Sequence, residues 1–177
     1  QYLNGEIDEV SITAKDKNVI IIGAGDTGAD CVATALRENC KSIVQFNKYT
    51  KQPEEITFES NTSCPLAMPV FKMDYAHKEY EAKFGKEPRA YGVQTMRYDV
   101  DGLGRVRGLY TQVLQETSEG MVMSDGPERF WPADLVLLSI GFIGTETTIP
   151  HAFGIKTERN KIAVSYTHLT LPTIYSV

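Results

Sequence analysis

Residues 18–31 read NVIIIGAGDTGADC. An apolar, β-branched run ends at a glycine, and three glycines follow at the spacing G-x-G-x-x-G. A run of this kind fills a strand covered on both faces. The residues after it predict a helix that opens at Asp26 or Thr27, with either as its cap, and continues to about Glu38. Val32, Ala35 and Leu36 fall on one face of that helix. Lys41–Phe46 (KSIVQF) predicts a second buried strand. Strand, glycine turn, helix and strand in about thirty residues make a βαβ unit.

The turn points to a phosphate. Gly23 permits the tight turn out of the strand, Gly25 lets the backbone approach a pyrophosphate, and Gly28 lets the helix pack close to the strand. The helix N-terminus offers free N–H groups and a partial positive charge. Ala24 lies inside the turn, and the Thr27 hydroxyl could donate to a phosphate. An anionic Asp26 would be repelled there, and is expected to bond backbone groups or face away. G-x-G-x-x-G alone is a weak signal, but between the strand and helix of a βαβ unit it reads as a dinucleotide site. A ligand-free strand-to-helix turn and a methyltransferase-type nucleotide site use the same glycines, and stay open at this point.

Both an NAD site and a methyltransferase site normally place an acid at the end of the second strand, on the ribose hydroxyls. Here Asn47 stands at that position, followed by Lys48, with Lys51 near. No carboxylate repels a 2′-phosphate, and two cations attract one, which favours NADP over NAD. The same lysines would also suit a solvated surface loop.

The chain has 177 residues and a net charge of −5, with no cluster of Lys and Arg interleaved with aromatics, which argues against nucleic acid as a partner. Apolar content of 42% and charged content of 23% suit a soluble globular chain. No apolar run has membrane-spanning length and no signal peptide is evident, so no membrane partner and a cytoplasmic setting are expected. Cys31, Cys40 and Cys64 have no C-x-x-C spacing, which argues against a disulfide framework or a metal cluster held within the chain. They read as thiols in a reducing compartment.

Beyond the βαβ unit, residues 47–69 predict a loop, with prolines at 53, 65 and 69. Tyr75–Phe84 (YAHKEYEAKF) predicts a short helix stopped by Gly85 and Pro88. Tyr91–Asp99 then alternates as a strand, Asp101–Gly104 turns it, Arg105–Glu116 is a second strand and Met121–Trp131 a third. Asp134–Ile140 (DLVLLSI) reads as another buried strand, ending at Gly141.

Both ends of the chain are unusual. The first residue is Gln1 rather than Met, and residues 1–17 are polar with few apolar positions. From Val164 the string VSYTHLTLPTIYSV carries no Asp, Glu, Lys or Arg. It resembles the translation of a transposase-type sequencing adapter, followed by a variable barcode and a stop. Residues 164–177 are therefore expected to be non-native, and Tyr166 and His168 are set aside as site candidates. A native Thr-rich strand is the other reading.

With GAGDTGADC, KSIVQF, FKMDYAHKEYEAKFGKEPRAYGVQT and WPADLVLLSIGF together, the chain resembles the small (beta) subunit of glutamate synthase over residues 1–163. The turn alone would suit other two-dinucleotide flavoproteins, including the related half of dihydropyrimidine dehydrogenase. The stretch Phe71–Thr95 is more specific. The fold expected is α/β: a Rossmann-like NAD(P)-binding domain with an appended antiparallel β-meander, of the type inserted in an FAD-binding domain. On that pattern residues 1–17 lead in from a flavin domain, 18–142 form the NAD(P)H-binding domain, and 143–163 begin the return to the flavin domain.

The resemblance implies an oxidoreductase in nitrogen assimilation. NADPH held by this chain would give hydride to FAD. Electrons would pass through iron–sulfur clusters to a large subunit that makes glutamate from 2-oxoglutarate and glutamine-derived ammonia. The cofactors carry that chemistry, so no catalytic residue and no metal ligand is assigned. The motifs for FAD and for the clusters are expected outside this sequence, and the chain alone is expected to bind NADPH without turnover. The cofactor-site residues are Gly23, Ala24, Gly25, Asp26, Thr27, Gly28, Asn47, Lys48 and Lys51, with Ile140 and Gly141 at the end of the return strand. Two positions depart from the family: Cys64-Pro65 stands where a Trp-Pro is frequent, and Asn47 where several relatives carry an acid. His77 and His151 are expected on the surface or in loops. A non-catalytic nucleotide-binding module is the alternative of a different class.

Overall fold

A computed structural model describes residues 11–54, 71–118, 120–158 and 161–162. The chain divides into two units, residues 1–140 and 141–177. The tail from 164 and the Cys64-Pro65 pair lie outside the described residues.

In the first unit the elements run β1 (Asn18–Ile22), α1 (Asp26–Arg37), β2 (Ser42–Asn47), α2 (Tyr75–Phe84), β3 (Arg89–Tyr91), β4 (Val93–Val100), β5 (Val106–Thr117), β6 (Gly120–Met123), β7 (Arg129–Pro132) and β8 (Leu135–Leu138). Four strands form one sheet in the order β3-β2-β1-β8, and every neighbouring pair in it is parallel. β1 sits inside that sheet, so its side chains alternate between two covered faces. Val19 and Ile21 pack with Val32 and Leu36 of α1 and with Ala76 and Tyr80 of α2. Ile20 points the other way, into a cluster with Phe46, Leu109 and Ala133. The continuous apolar run NVIII follows from this double burial.

The polar start of the sheet is tied together by side chains. The Asp134 carboxylate accepts from both the backbone N–H and the side-chain amide of Asn18, each at 2.9 Å. The Ser42 hydroxyl donates to the Asn18 side-chain oxygen at 2.8 Å. These bonds align the first residues of β1 and β2 with the turn before β8.

α2 occupies the span read from the sequence. The Asp74 carboxylate accepts from the Tyr75 N–H at its start, and Gly85 ends it in the left-handed region at φ 72. α1 differs at its start. Gly25 is the cap, and no side chain caps the helix. Asp26 is the first helical residue, so neither it nor Thr27 fills the capping role read from the sequence.

The second sheet covers the other face of the first through Leu109 and Trp131, which pack with Ile20 and Phe46. Phe46 and Trp131 meet edge to face at 5.2 Å. The strand expected over Tyr91–Asp99 is broken at Gly92, whose φ of 60 bends the chain from β3 in the parallel sheet to β4 in the antiparallel one. The strand expected over Met121–Trp131 is two strands. β6 pairs with the end of β5, and β7 with its beginning, both antiparallel. Between them lies the turn segment Ser124-Asp125-Gly126-Pro127, where the proline has no N–H for a ladder. The appended sheet is therefore the expected antiparallel meander, with its third strand split into β6 and β7 along the long β5. The strand after Asp134 is half-buried rather than buried, because β8 lies at the sheet edge and Leu138 is exposed.

The second unit holds α3 (Thr148–Ala152) and an antiparallel pair, β9 (Thr157–Glu158) with β10 (Lys161–Ile162). Among the described residues, no helix is long and apolar enough to cross a membrane.

Candidate dinucleotide site

The C-terminal ends of β1 and β2 open into a cavity of about 500 Å³. Its walls are four short segments of the first unit: Ile22–Gly25, Phe46–Tyr49, Val93–Thr95, and Ser139 with Ile140. Open α/β sheets bind ligands at this edge, beyond the carboxyl ends of their strands.

The three glycines meet different surroundings. Gly23 has φ 115, and a Cβ built on it would stand 2.2 Å from the Ser139 carbonyl oxygen. A Cβ on Gly28 would stand 2.5 Å from the Gly23 carbonyl oxygen and 2.6 Å from the Gln45 side-chain nitrogen. Both are glycines because protein atoms leave no room. Gly25 is different. It has an ordinary φ of −85, and a Cβ there would meet no atom of the described residues within 4 Å, its chain neighbours aside. Gly25 lines the cavity, so the space above it is open to the cavity.

The start of α1 fits an anion. The first N–H groups of a helix have no intrahelical partner, and here no side chain among the described residues caps them. They sit beside Gly25 with the positive end of the helix dipole. An open backbone approach and uncapped donors suit a pyrophosphate.

The carbonyl of Gly23 is turned into the protein. The Gln45 side-chain amide donates to it at 2.8 Å, and the Ser139 hydroxyl lies 3.3 Å from it. The Ser139 backbone N–H and hydroxyl both reach the Ile22 carbonyl, at 2.8 and 3.0 Å. These bonds fix the turn against β2 and the end of β8.

At the far end of the cavity the Asn47 side-chain oxygen accepts from the Tyr49 N–H at 3.0 Å, which folds the loop back on itself. Lys48 is exposed on the cavity wall, with its ammonium 4.9 Å from the centre of the Tyr49 ring. Lys51 is engaged elsewhere. It pairs with Glu54 at 3.1 Å and lies over the Phe71 ring.

Of the residues singled out in the sequence, Gly23, Ala24, Gly25, Asn47, Lys48 and Ile140 come together around the cavity. Asp26, Thr27, Gly28 and Lys51 are not on its wall, and Thr27 lines a separate groove along α1 with Ile12 and Leu137. Gly141 opens the second unit with φ 91. Sequence reasoning did not single out Ser139, Gln45, Tyr49 or the β4 segment Val93–Thr95. It also misplaced His77, which is buried on α2 with 3% exposure, against Gln45. Burial, then the nearby Arg89 charge, hold His77 below its ordinary value of 6.5. His151 is exposed on α3.

No protein-family model matches the chain. Over 171 residues it is 42% identical to the glutamate synthase [NADPH] small chain of Bacillus subtilis, an alignment covering 93% of this chain and 34% of that protein. The chain is homologous to one segment of the glutamate synthase small chain. The glutamate synthase [NADH] of Schizosaccharomyces pombe is 39% identical over 140 residues, 76% of this chain and 6% of that protein. The chain thus spans about a third of the bacterial glutamate synthase small chain and a small part of the yeast enzyme. The resemblance read from GAGDTGADC and the later motifs is met by these relatives. Among solved structures, bacillithiol disulfide reductase of Staphylococcus aureus aligns loosely. Its TM-score is 0.48 at 12% identity, over 81% of this chain and 34% of that one.

Proposed function

We propose that the chain is the NADPH-binding segment of a glutamate synthase small chain, and that the cavity beside the glycine turn is its dinucleotide site. The observation that carries this reading is Gly25. It faces open space on a cavity wall, beside helix donors that no side chain caps. The pyrophosphate lies on the N–H groups at the start of α1, with Gly25 giving it room and Gly28 holding the helix close. Lys48 faces the 2′-phosphate and Asn47 shapes the loop that presents it. Ile140 closes the other end.

Bound here, NADPH supplies the hydride that FAD accepts. The chain's own residues bind and orient it. They are not assigned a proton transfer. Residues 18–142 form the binding domain and 143–163 lead back to a flavin domain. The parent protein in this reading is a cytoplasmic oxidoreductase with FAD and iron–sulfur clusters. It delivers electrons to a glutamate-forming large subunit.

The coenzyme choice rests on the end of β2. One relative is named for NADPH and another for NADH, so homology alone leaves it open. Asn47 brings no negative charge, and Lys48 brings a positive one to the cavity wall. Titration of the full chain with NADPH and with NADH tests the reading. NADPH is expected to bind tighter, and tighter binding of NADH would overturn the choice.

A further inference from the structure

Gln45 is fully buried, with 0% exposure, in the middle of a strand whose neighbours Ile43 and Phe46 are also buried. It shares a face of β2 with Ile43, which packs against α1 and α2. An apolar residue would fill that position at lower desolvation cost. Gln45 uses both ends of its amide. The nitrogen donates to the Gly23 carbonyl at 2.8 Å, and the oxygen lies 2.7 Å from His77 Nε2. Because the amide nitrogen is committed to a carbonyl, its oxygen is the acceptor toward His77. The imidazole is then the Nε2–H tautomer. His77 Nδ1 is buried and has no hydrogen-bond partner among the described residues. The ring is placed for one bond, to Gln45.

The consequence is a fixed peptide in the turn. The C=O and N–H of a trans peptide point in opposite directions. Holding the Gly23 carbonyl inward directs the Ala24 N–H outward, and Ala24 lines the cavity. Gln45 also occupies the space that Gly28 leaves, since a Cβ on Gly28 would stand 2.6 Å from its nitrogen. One side chain therefore couples the turn, the helix start and the second helix.

We propose that Gln45 and His77 are positioning residues for dinucleotide binding. Their buried relay, His77 to Gln45 to the Gly23 carbonyl, sets the orientation in which the turn presents its N–H groups to the pyrophosphate. Neither residue touches the ligand. The inference rests on the reading of the cavity as a dinucleotide site and adds residues that the glycine motif does not include.

The test titrates the full chain with NADPH and records backbone amide spectra of the ligand-free protein, for wild type, Q45M, H77L and H77Q. Met keeps the volume of Gln45 without its amide. Gln at 77 brings a side-chain N–H to the place of the imidazole donor. Q45M and H77L are expected to bind NADPH about tenfold weaker, the effect of misdirecting one charge-assisted hydrogen bond. Their Ala24 and Gly25 amide signals are expected to shift. H77Q is expected to bind within about twofold of wild type, because it restores the bond to Gln45. A change in global stability alone would not separate H77L from H77Q in this pattern. If wild type binds and Q45M binds as tightly, the inference fails alone. If Q45M does not fold, equal NADPH affinity in H77L and H77Q overturns it. A wild-type chain with no affinity for NADPH or NADH overturns the reading of the cavity, and the inference with it.

Discussion

Gly23 and Ser139 are packed so closely that a Cβ on the glycine would stand 2.2 Å from the serine carbonyl oxygen. The end of β8 thus lies directly against the turn that follows β1. Two glycines of the motif, separated by one residue, are then needed for different reasons. Gly23 serves the fold, and Gly25 serves the proposed ligand site.

Substitution separates the two roles. Gly23→Ala meets backbone at a positive φ and is expected to destabilise the chain by about 3 kcal/mol. Gly25→Ser meets no protein atom and places a good capping side chain at the start of α1, so stability is expected to hold within about 1 kcal/mol. The same serine would fill the space proposed for the pyrophosphate and cap the N–H groups proposed to hold it. NADPH binding is expected to weaken at least about tenfold. Denaturant unfolding and NADPH titration of each variant check this. A Gly25→Ser chain that binds as wild type would place the dinucleotide elsewhere.

The two lysines near the end of β2 are expected to differ. Lys48 stands on the cavity wall, whereas Lys51 is paired with Glu54. Lys48→Ala is expected to reduce the preference for NADPH over NADH about tenfold, and Lys51→Ala to change it less than about twofold. The ratio of the two dissociation constants is the readout. Equal effects would mean that the Lys51–Glu54 pair opens when ligand binds.

His77 is expected to give stability a pH dependence. Burial and then the Arg89 charge hold it below 6.5, while Asp74 and Glu87 pull less strongly the other way. Below 6.5 the unfolded chain takes up a proton that the folded chain refuses. Stability is therefore expected to fall as pH drops through 6.5 toward the lower folded value, and to be unaffected by this residue above it. Denaturant unfolding at pH 7.5 and pH 5.5, for wild type and H77Q, measures this. The drop is expected to be smaller in H77Q, which has no group to titrate there.

The βαβ unit was legible because its signals are local. An apolar run, glycines at fixed offsets and one helical face lie within a few turns of one another. The homology likewise followed from contiguous motifs. The Gln45–His77 bond spans 32 positions in sequence, and KSIVQF as a string suggests only a buried strand. A usable signal was the polar Gln45 at the same parity as Ile43 in that strand. Ser139 was hidden in the same way, at the end of an apolar run and 116 positions from Gly23. The split of Met121–Trp131 was readable at Gly126-Pro127. The capping of α1 was misread because Asp26 and Thr27 are good capping types, yet Gly25 takes the cap position and Asp26 is already helical.

The most direct measurement is the backbone amide spectrum of the full chain as NADPH is added. The expected result is that the largest shifts fall on Ala24, Gly25 and Asp26, with Lys48 and Thr95 following along the cavity wall. Shifts confined to the groove of Ile12, Thr34 and Leu137 along α1, or no saturable shifts, would contradict the assignment of this cavity as the NADPH site.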